Sequence, residues 1–308
     1  MTEPGEPTTA QAAGAKARLD ALPPEALILT AALSVQCGAG LATSLLQEFG
    51  PLPVVTMRIC FGAVLLLVFQ PVRLRGAKRV ALLSCLALGV ILAIMNSVFY
   101  VGLSRIPLGV AVTIEFWGPL TVAVLGSRRW LDLVWVVLAA AGIYTLAGGR
   151  LAADDAIGVV AVFIAGFCWA LYILVGRRVA HYWPDGRGLT LAMVVAGILV
   201  LPATLTLSDV RPLLGAPLAL VGGLAVAIFS SAIPYTAEIA ALRRLPAATF
   251  GVLMSLEPAI AALVGFVILG QVLHVTDLAA IGCVALASAG ASLSARRLPV
   301  TVGELESA

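Results

Sequence analysis

Apolar runs of about 20 residues, the length at which a helix crosses a bilayer core, follow one another along nearly the whole chain. Read between charged residues and Pro or Gly punctuation, they give approximate spans at 27–46, 53–70, 80–103, 107–126, 131–148, 157–176, 188–207, 217–242, 246–269 and 275–294. Hydrophobic residues make up 61% of the 308 residues and charged residues 11%, against about 45–50% and about 25% in water-soluble domains. A soluble fold of this size could not hide so much apolar surface. Lipid must be its solvent, and the fold class expected is an all-α membrane protein with ten transmembrane helices.

The basic residues test that count through the positive-inside rule. With the N-terminus in the cytoplasm, the inward segments carry Lys16, Arg18, Arg73, Arg75, Lys78, Arg79, Arg128, Arg129, Arg177, Arg178, Arg187, Arg243, Arg244, Arg296 and Arg297, fifteen in all. The outward loops carry three, Arg105, Arg150 and Arg211, and Arg58 lies inside the second span. A miscounted helix would scramble this alternation. Both ends are therefore expected in the cytoplasm, with residues 1–26 and 295–308 as flexible tails flanking a body in the cytoplasmic (cell) membrane. The charges report orientation in a lipid bilayer and not a nucleic-acid partner. Cys37, Cys60, Cys85, Cys168 and Cys283 all fall in apolar runs, where a free thiol packs as a small hydrophobe. Neither a metal site nor a cofactor is expected.

A weak repeat runs through the chain. Leu103, Arg105, Pro107, Pro119 and Gly126 recur as Leu242, Arg244, Pro246, Pro258 and Gly265, always 139 residues later. The offset superimposes spans 4 and 9 and divides the chain into two five-helix repeats, 27–148 and 149–294. An odd number of spans per repeat turns the second upside down in the membrane, which makes the two repeats inverted. In that architecture substrate sites lie near the midplane, between the halves.

Four charged residues lie at membrane depth: Arg58, Glu115, Glu238 and Glu257. A charge at the bilayer centre costs roughly 2.5–3.5 kcal/mol on insertion scales, so it normally faces a cavity or a partner. Glu115 falls near the middle of span 4, with small or helix-loosening neighbours at Ala111, Gly118 and Pro119. Glu257 falls near the middle of span 9, just before Pro258. A carboxyl withdrawn from water favours its neutral form, the property a proton-coupled carrier uses, and it can also receive an ammonium group. Arg58 either snorkels to the interface or forks onto a carboxylate. Glu238, close to Arg243 and Arg244, either makes a rim salt bridge or joins proton coupling with Glu115 and Glu257. Uncharged polar residues extend the pattern: Gln36 with Gly40, Thr43 and Ser44 in span 1, Asn96 and Tyr100 in span 3, Trp169 and Tyr172 in span 6, and Ser231, Pro234 and Tyr235 in a kinked part of span 8. The candidate substrate-binding set is Gln36, Arg58, Asn96, Tyr100, Glu115, Trp169, Tyr172, Tyr235 and Glu257.

The stretches Ser34–Leu45 (SVQCGAGLATSL), Met95–Tyr100 (MNSVFY), Ile106–Ser127 (IPLGVAVTIEFWGPLTVAVLGS), Trp135–Ala139 (WVVLA), Gly166–Ile173 (GFCWALYI), Ser230–Tyr235 (SSAIPY) and Arg244–Ala262 (RLPAATFGVLMSLEPAIAA) carry a resemblance. They resemble the EamA type of the drug/metabolite transporter superfamily, and within it the threonine/homoserine exporters. The resemblance implies ten helices, an inverted repeat, and efflux of small neutral amino acids by antiport against protons. It also implies charges at Arg58, Glu115, Glu238 and Glu257, where the family pattern has them too.

Other readings are weaker. A drug or other small-metabolite exporter of the same superfamily would use the carboxylates but not Arg58. An intramembrane zinc protease needs a helix-borne His-Glu-x-x-His, and the only histidines, His181 and His274, fall in expected loops. Paired membrane aspartates and a phosphate-cradling Gly-rich loop are missing as well, and a scaffold has no use for midplane carboxylates. The sequence therefore points to a carrier and not an enzyme.

Overall fold

The computed structural model describes residues 22–72, 74, 77–125, 131–151, 155–183, 186–242, 244 and 253–295. Nearly all of both expected tails, together with Arg73, Arg75, Arg128, Arg129 and Arg243, lies outside these residues. Helix is the only regular structure among them. The helices are α1 (Pro24–Phe49), α2 (Pro51–Phe69), α3 (Arg79–Leu103), α4 (Leu108–Glu115), α5 (Trp117–Leu125), α6 (Leu131–Leu151), α7 (Ala156–Tyr182), α8 (Arg187–Leu207), the single turn α9 (Arg211–Leu214), α10 (Pro217–Ala227), α11 (Ile233–Leu242), α12 (Glu257–Leu269) and α13 (Val275–Ala295). A π-helical turn, Ile228–Ala232, joins α10 to α11.

Proline starts several of these helices. It occupies the first turn of α1, α2, α10 and α12, where the missing N–H costs nothing. The α1–α2 junction is one residue wide, Gly50 at φ 77°, a backbone that a side chain would disfavour. Later in the chain, Gly270 closes α12 in the left-handed region and the Gln271 N–H returns to the Gly265 carbonyl at 3.0 Å.

Five helices, α1, α2, α3, α7 and α8, are long and apolar enough to cross a membrane, with 26, 19, 25, 27 and 21 residues. Even the shortest reaches about 28 Å at a rise of about 1.5 Å per residue, close to the roughly 30 Å hydrocarbon core. Three expected spans are subdivided. Span 4 is interrupted at Phe116, span 8 at the π-turn, and span 9 at Ser255 and Leu256. Each interruption precedes a proline by two to three residues, namely Pro119, Pro234 and Pro258, which withholds a ladder donor.

The burial pattern is that of a chain solvated by lipid. Exposed large apolar residues line the outer faces, such as Val80, Leu83, Leu86, Val90 and Ile94 on α3 and Ile157, Val160, Ile164 and Phe167 on α7. The interior holds small residues together with Gln36, Thr43, Thr56, Asn96, Thr113, Glu115, Thr190, Thr204, Ser230, Ser231 and Glu257. Small residues let helix backbones approach closely. A Cβ on Gly118 would run into the Gly166 carbonyl, and one on Gly109 would lie 2.8 Å from Ala262 Cα. In this way α5 meets α7, and α4 meets α12. The other main pairings are α3 with α7 and α8, α1 with α11, α10 and α12, α2 with α8 and α10, and α6 with α13.

Candidate functional site

Arg58 lies in the third turn of α2, and it points inward. Its Nη1 donates to the Tyr100 hydroxyl at 3.5 Å and its Nη2 to the Ser230 carbonyl at 3.4 Å. The guanidinium carbon lies 5.5 Å from the centroid of the Tyr100 ring, within the range of a cation–π contact. The lipid interface therefore does not hold this side chain; α3 and the π-turn do.

Glu115 ends α4 and is 9% exposed, and Glu257 begins α12 and is 4% exposed. Arg58 is close enough to Glu115 for their charges to interact, and so are Glu115 and Glu238 to Glu257. One cation and three carboxyls from α2, α4, α11 and α12 thus converge within the apolar body. Glu238 is less deeply buried than the other two carboxyls, and its charge reaches Glu257. Arg244, one of its expected rim partners, donates to the Leu22 carbonyl at 2.8 Å; the other, Arg243, is outside the described residues.

The remaining candidates divide. Tyr100 is fully buried and belongs to the Arg58 end of the cluster. Gln36 is 2% exposed, and its Oε1 has no hydrogen-bond partner in the fold. Trp169 stands edge-on to Phe116 with centroids 5.3 Å apart, one residue from Glu115, and Tyr172 packs partly buried on the same helix. Asn96 is buried, but its amide donates to the Leu92 carbonyl one turn back at 2.8 Å. Tyr235 is on α11, with its side chain outside the described residues.

The π-turn carries site residues whose part the sequence reading missed. Pro234 has no N–H for the carbonyls four and five residues before it, those of Ser230 and Phe229. Ser34 Oγ donates to the Phe229 carbonyl at 2.7 Å, while Arg58 takes the Ser230 carbonyl. The Ser230 and Ser231 hydroxyls are buried without partners. The signal was the Ser-Ser-x-x-Pro pattern, in which a proline deep in a span frees carbonyls that need outside donors. Two clefts on the molecule, of about 470 and 510 Å³, are lined by Val80, Ser84, Arg177, Arg178, His181 and Tyr182 and by Trp117, Val159, Val160, Phe163, Ile164 and Phe167. Neither is lined by a member of the charged cluster.

A polytopic helical body whose interior gathers opposite charges defines the class of membrane transporters. The chain belongs to the EamA-like transporter family. The model of that family matches residues 156–293. The chain is 42% identical over 283 residues to the threonine/homoserine exporter RhtA of Escherichia coli (strain K12), covering 89% of this chain and 92% of that one. It is 39% identical over 297 residues to the threonine/homoserine exporter RhtA of Salmonella typhimurium (strain SL1344), covering 93% and 97%. A solved crystal structure shares the fold with a TM-score of 0.61 at 18% identity, over 90% of this chain and all of that one.

Proposed function

We propose that the chain exports small neutral amino acids such as threonine and homoserine across the cytoplasmic membrane, by proton antiport with alternating access. The observation that carries this reading is the convergence of Arg58 with Glu115, Glu238 and Glu257 inside an apolar body. A zwitterion needs both signs of charge within a few ångströms. Its carboxylate would meet Arg58, with Gln36 beside it, and its ammonium Glu115 or Glu257. The full-length likeness to relatives named threonine/homoserine exporters supports the cargo.

Ten spans in two inverted halves belong to the same proposal. Let α1, α2, α3, α4–α5 and α6 correspond to α7, α8, α10–α11, α12 and α13. The pairing of α3 with α7 then maps onto that of α10–α11 with α1, and α3 with α8 onto α10 with α2. Likewise α4–α5 with α7 maps onto α12 with α1. The pairs α2–α8, α4–α12 and α6–α13 map onto themselves. A packing pattern unchanged by exchanging the halves is what rocking about a central site requires. With both termini inside, the cytoplasmic loops hold the basic excess.

The test is efflux of labelled threonine and homoserine from proteoliposomes with an imposed pH gradient. Wild-type protein should export both, and Glu115→Gln and Glu257→Gln should lose about tenfold or more, the loss of one charge-assisted contact. Full export with full pH dependence in both variants would overturn the proposal.

A further inference from the structure

Span 8 is broken where the π-turn Ile228–Ala232 meets Pro234, and π-turns within helices are frequent at functional sites. A helix broken at membrane depth must have its freed carbonyls satisfied from outside the ladder. The Phe229 carbonyl has a short partner, Ser34 Oγ at 2.7 Å. The Ser230 carbonyl has a long one, Arg58 Nη2 at 3.4 Å, and the contact of the same guanidinium to the Tyr100 hydroxyl is 3.5 Å. Good N–H···O bonds run about 2.7–3.2 Å. Arg58 therefore holds the break weakly.

The break is also pressed between two helices at glycines. A Cβ on Gly38 of α1 would collide with Ser230 Oγ, and one on Gly62 of α2 would lie 3.3 Å from Ser231 Oγ. Gly62 is one turn beyond Arg58, so α2 brings its backbone and its guanidinium onto the same π-turn. Beyond the break, α11 carries Glu238 toward Glu257. Whatever loosens the break moves a carboxyl of the cluster.

We propose that Arg58 couples substrate binding to movement of α11, because the Ser230 carbonyl and the carboxylate of the substrate compete for its guanidinium. A carboxylate forms a shorter, charge-assisted and often bidentate contact with guanidinium, so it displaces the neutral carbonyl. The Ser230 carbonyl is then released, and α11 is free to swing about the π-turn and Pro234, the positions where helices bend. Arg58 acts here as a positioning residue for the helix as well as a ligand for the cargo. The proposal rests on the amino-acid export reading above.

Pro234→Ala separates this from a merely structural role. It restores an N–H for the ladder, so the Ser230 carbonyl no longer draws on Arg58. The affinity for labelled threonine should tighten about threefold or more, since a larger fraction of the protein has Arg58 available. Threonine turnover should fall about tenfold, because a continuous helix bends less readily. Adding Arg58→Ala should abolish the tightening. A structural role alone predicts binding that weakens or stays put. A second measurement needs no proline variant: in wild-type protein in nanodiscs, threonine should speed amide exchange over residues 228–238, and Arg58→Ala should show fast exchange with or without it. Saturable threonine binding with unchanged or slower exchange there overturns the coupling and leaves the export reading standing. Wild-type protein that neither binds nor exports threonine overturns both.

Discussion

Gly109→Ala tests whether the two helices that carry Glu115 and Glu257 are held in direct contact. The new methyl would sit 2.8 Å from Ala262 Cα, 3.0 Å from its Cβ and 3.1 Å from its N. Ordinary contact begins near 3.4 Å, so α4 and α12 must part by about 0.6 Å. The obstructing atoms are mostly backbone, so no rotamer change can absorb the methyl. Overpacking of this kind costs about 1–3 kcal/mol. Half an ångström at one crossing belongs near the lower end, about 1 kcal/mol, and Gly109→Val should cost more. Gly282 on α13 is the control, since nothing lies within 4 Å of its Cβ position. Thermal unfolding in detergent should rank Gly282→Ala at or slightly above wild type, Gly109→Ala below it, and Gly109→Val lowest. Threonine efflux should fall in the same order, because the displaced helices begin and end at the two carboxyls. Adding Ala262→Gly to Gly109→Ala should restore only part of the loss, since the Cα and N contacts remain. A Gly109→Ala protein as stable and as active as Gly282→Ala would refute the close crossing.

Two further substitutions probe what positions the site. Gln271→Ala removes the Oε1 that accepts the Leu108 N–H at 3.0 Å, an orphan donor at the start of α4. Thermal unfolding should show a loss of about 1 kcal/mol, as for a helix cap, with Gln271→Glu retaining most of the stability. Thr56 and Thr204 pair their hydroxyls at 2.6 Å between α2 and α8. Thr56→Val should cost about 0.6 kcal/mol, and a cycle with Thr204→Val should show coupling of similar size. Coupling indistinguishable from zero would mean that the two hydroxyls do not meet.

The all-helical class was legible because the membrane makes it so. A run of about 20 apolar residues has few alternatives to a helix, and the helical segments fall on the expected spans to within a few residues, with the end of α7 at Tyr182 the largest overrun. The helix start at Pro24 takes three residues from the expected tail for the same reason, since proline is at home in a first turn. The charged candidates were legible too, because Arg58, Glu115, Glu238 and Glu257 stand out at depth. Their partners were not. Whether Arg58 snorkels or turns inward depends on Tyr100, 42 residues away, and on the Ser230 carbonyl, 172 residues away. Asn96 is a substrate-binding candidate by sequence, yet its amide donates to the Leu92 carbonyl of its own helix. Polar type and depth can be read along the chain, whereas the choice between a local carbonyl and a distant ligand is made only by packing.

Under the proposed proton antiport, charge balance within the cluster points to one residue for the proton step. With Arg58 ionised, two of the three carboxyls must be neutral for the empty site to carry no net charge, and bare charge in an apolar interior is costly. A zwitterion adds one charge of each sign, so the loaded site is neutral with the same number of protons. An exchanger built only from fully enclosed carboxyls would therefore move substrate without counting protons. Coupling needs a carboxyl that can stand ionised in one state, which requires access to water. Glu115 and Glu257 are 9% and 4% exposed, while Glu238, at the end of the cluster away from Arg58, is the least deeply buried of the three. Glu238→Gln should accordingly keep threonine counterflow, in which labelled and unlabelled substrate exchange, within about twofold of wild type, as for removal of a partly solvated charge. It should lose the acceleration that a pH gradient gives to net export. Proteoliposomes loaded with labelled threonine measure both on one preparation. Net export by Glu238→Gln that still responds fully to the gradient would move the proton step to Glu115 or Glu257, and would show that neutrality does not govern this site.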